Sequence, residues 1–105
     1  MKRLLASLLG FGLVFSVTVH AAGDIEAGIV KGQTCLGCHG ISNYNNVYPT
    51  YHVPKLGGQH ADYLVAAMKG YKDGLRKHST MHGNVADLSE QDMQDIAAYF
   101  EQDGK

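Results

Sequence analysis

At 105 residues the chain has room for one domain, and a core of that size gives a small stability margin that exported domains usually supplement with a disulfide, a metal or a cofactor. Nine lysines and arginines stand against ten aspartates and glutamates; taking away Lys2 and Arg3 leaves seven against ten, a formal charge of minus three that argues against nucleic acid as a partner. The two cysteines lie three positions apart and cannot staple distant parts of a fold, so any staple is something they hold.

The chain opens with a positive Met1-Lys2-Arg3, continues through an apolar run from Leu4 to Val19 softened by Ser7, Gly10, Gly12, Ser16 and Thr18, and reaches the small residues of Val19-His20-Ala21. This is the pattern of a secretory signal peptide over residues 1–21, with cleavage after Ala21 or one position later after Ala22, and a working domain over 22–105. The run is shorter than the roughly 20 residues of a spanning helix, so no stable membrane insertion is expected once the leader is removed.

Asp24 can cap a first helix through Ile25, Gly28, Ile29 and Gly32, with Glu26 in the first turn where the helix dipole favours a carboxylate. That helix delivers the chain to Cys35. From Gly40 to Tyr51 the composition turns to Ser, Asn, Tyr and Pro, which predicts an extended loop packed by its tyrosines. Leu64, Ala67, Met68 and Tyr71 fall at helical spacing and predict a helix from Ala61 to about Lys72, with Gly74 placed to stop it. A polar loop follows. Ser89 and Asp92 then form a capping box, and Met93, Ile96, Ala97 and Phe100 make one apolar stripe of a last helix. No β alternation and no repeat is visible, so the expected class is all-α with long loops.

Cys35-Leu36-Gly37-Cys38-His39 allows three chemistries. Zinc needs four ligands, usually from two paired clusters, and there is no second cysteine pair, although His52, His60, His78 and His82 are further candidates. A redox dithiol normally follows a strand in a βαβ unit, which this pattern lacks. The third chemistry is covalent haem: two thiols one helical turn apart add to the two vinyl groups on one porphyrin edge, and the adjacent His39 lies under the iron. The last accounts for every cysteine.

The segments GDIEAG, CLGCHG, VPKLGGQHADYL, YKDGLR, MHG and LSEQDMQDIAAYF, in that order, resemble the small bacterial, soluble, monohaem class I c-type cytochromes. The resemblance covers nearly the whole working domain. It implies crossing N- and C-terminal helices, a middle helix, and loops around one covalent haem c with its iron. It also implies a periplasmic one-electron carrier, not an enzyme, working between a redox donor and acceptor such as a respiratory complex, a terminal oxidase or a dehydrogenase. Three alternatives stay open: a haem sensor or ligand binder with a labile sixth ligand, the cytochrome subunit of a dehydrogenase complex, and a zinc-binding or dithiol protein.

Seven side chains compete for the sixth iron position: Met68, Met81, Met93, His52, His60, His78 and His82. Met68 and Met93 lie on apolar helical stripes, where methionine normally fills core. Met81 lies in the polar loop, and the resemblance puts the family's methionine ligand there. The four histidines are expected on loop surface. In the family, a proline carbonyl in the segment matching VPKLGGQ fixes the proximal histidine, which points to Pro54 as the partner of His39. Tyr48, Tyr51, Tyr63 and Arg76 are candidates for the haem propionates. Lys55, Lys69, Lys72, Arg76 and Lys77 form a basic area opposed to the acids from Asp87 to Asp103, an arrangement able to steer a docking partner.

Overall fold

The computed structural model describes Gly12, Val14 and residues 22–102; apart from those two residues the expected leader lies outside the described residues. Its elements are α1 (Ile25–Lys31), α2 (Gln33–His39), the strands β1 (Asn45–Val47) and β2 (Thr50–His52), α3 (Ala61–Lys72), α4 (Ser79–Val85) and α5 (Glu90–Gln102). The architecture is helical, as expected. Among the described residues no helix is long and apolar enough to cross a membrane.

Helix α1 begins where Asp24 accepts the Ala27 N–H at 3.1 Å, and Gly32 ends it and starts α2. The helix crosses α5 at close range. A methyl group on Gly28 would sit 2.1 Å from the Asp95 carbonyl oxygen, and one on Gly23 would sit 2.0 Å from that of Gln94. No side chain larger than hydrogen fits between two backbones at that distance. The crossing is tied by Asp95, which is 2 % exposed and accepts from the Asp24 N–H at 2.8 Å, from Lys31 Nζ at 2.6 Å and from Gln91 Nε2 at 2.8 Å.

Helix α3 packs on α5, and α4 packs on α3. Their shared core is Leu64, Val65 and Met68 from α3, Val85 from α4, and Met93, Ile96, Ala97 and Phe100 from α5. The two long helices are also joined at their ends. The Glu101 carboxylate accepts the Ala61 N–H at 3.1 Å, so α5 supplies a cap for the start of α3, and Gly74 at φ 76° closes the other end of α3. Ser89 and Asp92 exchange side-chain to backbone hydrogen bonds of 3.1 and 2.9 Å at the start of α5, the reciprocal pattern of a capping box.

Two segments depart from the sequence expectation. The stretch from Gly40 to Tyr51 is not wholly loop: β1 and β2 pair antiparallel, Asn45 opposite His52, Asn46 opposite Tyr51 and Val47 opposite Thr50. Strands of three residues are too short to display alternation, and this hairpin is held largely by its turn, where Asn46 Nδ2 donates to the Pro49 carbonyl and Thr50 Oγ1 to that of Val47. The polar loop before α5 contains a further short helix, α4, which carries Met81. Its N-cap is His78, whose ring nitrogen takes the place of the serine or aspartate oxygen that marks a helix start in sequence.

Candidate haem site

A helical face carries the Cys-x-x-Cys-His motif. Positions 35, 38 and 39 are related as i, i+3 and i+4 along α2, so both thiols and the imidazole face the same way. That face lines a partly open cleft of about 380 Å³. Met81 of α4 lines the same cleft, and Leu64, Met68, Val85, Ile96 and Phe100 give it an apolar wall.

His39 Nδ1 stands 2.8 Å from the carbonyl oxygen of Pro54. A carbonyl only accepts, so Nδ1 carries the proton and the imidazole lone pair is left on Nε2. Gly58, at φ 83°, donates its N–H to the Phe100 carbonyl at 2.9 Å and so fixes the loop that follows Pro54.

The seven candidates for a second donor separate by position. Met93 is 2 % exposed in the core and does not reach the cleft, and neither His60 nor His82 lines it. Met68, Met81, His52 and His78 do. Met68 belongs to the buried α3 core at 9 % exposure. His52 has Nδ1 at 3.1 Å from Asn45 Oδ1 across the hairpin. His78 is engaged on several sides: its Nδ1 accepts the Met81 N–H at 3.4 Å, and its ring meets Tyr51 edge-on at 4.7 Å and Tyr71 at 6.3 Å. His82 Nδ1 donates to the Tyr71 carbonyl at 2.9 Å. His82 is exposed, as the surface expectation has it, while His78 is half-buried and its contacts depart from that expectation. Three residues of spacing between His78 and Met81 was the available signal.

Of the polar groups considered for propionates, Tyr51, Tyr63 and Arg76 line the cleft, while Tyr48 is 95 % exposed at the hairpin turn and stands apart from it. The basic area is partly consumed: Lys69 pairs with Glu90 at 2.6 Å and Lys72 Nζ donates to the Leu88 carbonyl at 2.5 Å.

Burial raises the pKa of the Cys35 thiol, with the neighbouring Thr34 hydrogen bond opposing it. Among the described residues no group of three or more His, Cys, Asp or Glu side chains is arranged to hold a metal ion. The donor set fits haem: paired thiols on one helical face, an imidazole with a fixed lone pair, a thioether on another helix, and an apolar wall between.

Residues 27–102 match the cytochrome c family. The chain is 44% identical over 100 residues to cytochrome c4 of Pseudomonas aeruginosa, covering 95% of this chain and 48% of that protein. It is 43% identical over 82 residues to cytochrome c-554(548) of Halomonas halodenitrificans, covering 75% of this chain and 95% of that one. The chain thus spans about half the length of the cytochrome c4 relatives and nearly all of the shorter one. Among solved structures, reduced cytochrome c4 from Pseudomonas stutzeri superposes with a TM-score of 0.57 at 25% identity, covering 77% of this chain and 51% of that one. Cytochrome c4 of Acidithiobacillus ferrooxidans gives 0.61 at 23% over 82% and 52%. The chain belongs to the cytochrome c family, and with that membership goes haem c, covalently attached and carrying iron.

Proposed function

We propose that the protein is an exported, periplasmic electron carrier with a single haem, held by Cys35 and Cys38 in thioether links, with His39 as proximal and Met81 as distal ligand. The one Cys-x-x-Cys-His supports one haem for the stretch this chain spans, about half the length of the cytochrome c4 relatives. The carrying observation is the shared cleft, with both thiols and His39 on α2 and Met81 on α4. Haem iron supplies the redox chemistry, gaining and losing one electron between Fe(III) and Fe(II).

The protein's part is to set how readily that happens. The Pro54 carbonyl orients His39 and makes its free nitrogen a better donor. The Met81 thioether is soft and neutral and favours the ferrous ion, and the apolar wall penalises the extra charge of the ferric one, so both raise the potential. Two ligands that stay in place leave little to rearrange when an electron arrives, and they leave no position for a substrate. The partners are redox proteins, a donor and an acceptor such as a respiratory complex, a terminal oxidase or a dehydrogenase; Lys55 and Arg76 at the cleft favour an acidic docking face.

The test is the far-red spectrum of the oxidised protein, where methionine sulfur on ferric haem gives a weak charge-transfer band. The band is expected in the parent and absent in Met81→Ala. A band that survives in Met81→Ala would hand the role to Met68, and a parent without it would favour a histidine ligand or an open iron and a sensing function.

A further inference from the structure

Met81 is presented by a helix of seven residues, Ser79–Val85, that has little reason to form by itself. It contains Gly83 and Asn84, both weak helix formers, and it buries only Val85. Its start depends on His78, whose side chain accepts from the N–H of Met81 itself. At 3.4 Å that hydrogen bond is long, and the ring does not rely on it alone. Tyr51 meets the imidazole edge-on at 4.7 Å with planes at 82°, and Tyr71 meets it at 6.3 Å and 78°. The Arg76 guanidinium lies 4.6 Å from the Tyr71 ring centre. The Tyr51 hydroxyl, 3.3 Å from Thr80 Oγ1, touches α4 a second time.

We infer that His78 is a positioning residue for the distal ligand: its ring, wedged between Tyr51 of the hairpin and Tyr71 of α3, holds the first turn of α4 so that the Met81 thioether stays at the iron. The inference rests on the reading of Met81 as distal ligand. In this role the imidazole caps the helix that supplies the ligand and does not itself bind iron. The hairpin thereby becomes part of the distal support, although it contributes no ligand.

A helix cap lost at this point releases Met81 more often without unfolding the rest of the molecule, and imidazole added to the oxidised holoprotein reports that release, since it enters only when the thioether has left. The measurement is the rate at which added imidazole abolishes the far-red band in the parent, His78→Ala, His78→Asn and Tyr51→Phe. Thermal unfolding of each is recorded alongside, with Val65→Ala, buried in α3 and away from the cleft, as a variant that loses stability elsewhere. His78→Ala should bind imidazole faster on the order of fivefold to tenfold, the usual effect of losing a side-chain cap, and His78→Asn, which caps but has no ring, should fall between Ala and the parent. Tyr51→Phe should show a smaller increase. Val65→Ala should keep the parent rate whatever its melting temperature. His78→Ala at the parent rate, or Val65→Ala accelerated equally, overturns the inference. A far-red band missing from the parent removes the Met81 reading instead, and loss of the parent's iron coordination in His78→Asn together with that missing band identifies His78 as a ligand.

Discussion

Asp95 is a carboxylate with almost no exposed surface, and it is satisfied by a backbone N–H, an ammonium and an amide. Its pKa is lowered, first by the hydrogen bond from Lys31 and then by the Asp24 N–H, while burial works in the opposite direction. Asp92, which also takes a hydrogen bond from Lys31, is lowered to about 2, and the Lys31 pKa is raised by Asp92 and then Asp95. A carboxylate whose folded pKa is depressed contributes stability above its unfolded pKa of roughly 4, and the contribution is lost as the pH falls through the folded value. The protein should therefore lose stability between about pH 4 and pH 2, and Asp92→Asn/Asp95→Asn should flatten that limb in urea midpoints measured against pH. At neutral pH Asp95→Ala should cost about 2 kcal/mol, because the Asp24 N–H and the Gln91 amide lose their acceptor and Lys31 keeps only Asp92. In the sequence Asp95 is one acid among those from Asp87 to Asp103. Nothing local shows that Lys31, 64 positions away, turns it inward.

At the level of elements, legibility followed distance along the chain. The Asp24 cap, the Ser89 and Asp92 box and the apolar stripes of α3 and α5 are local signals, and those helices stand where they were expected. Helix α4 escaped because it is held from elsewhere, by a histidine cap flanked by tyrosines from two other elements, whereas the hairpin, whose turn bonds are local, escaped because strands of three residues are too short to show alternation. In the site, the Cys-x-x-Cys-His face could be read directly, whereas Pro54 required the family resemblance, because a backbone carbonyl leaves no trace in the identity of its residue. The α1 and α5 crossing makes a further prediction. With the Asp95 carbonyl oxygen 2.1 Å from where a Gly28 methyl would stand, Gly28→Ala must push two backbones apart, at a cost of about 3 kcal/mol in a denaturant titration. A helix glycine facing solvent would instead gain about 1 kcal/mol from the same change.

For the molecule as a whole, the core and the cleft share a wall. Leu64, Met68, Val85, Ile96 and Phe100 belong to the buried cluster and also face the cleft that fits haem. A domain this small has no second core to fall back on. The double variant Cys35→Ala/Cys38→Ala, produced without covalent haem, should lose much of its helical circular dichroism and melt without a cooperative transition, while the holoprotein melts sharply; a sharp melt in the variant would mean that the helices pack independently of the group. The shared wall also bears on the fate of each molecule after synthesis. If the variant melts without cooperativity, a chain still waiting for its haem would offer a protease an opened, poorly packed substrate, while a finished one would be cleaved only as fast as it opens. Degradation would then sort the two forms, and the surviving pool would be enriched in molecules that carry the group.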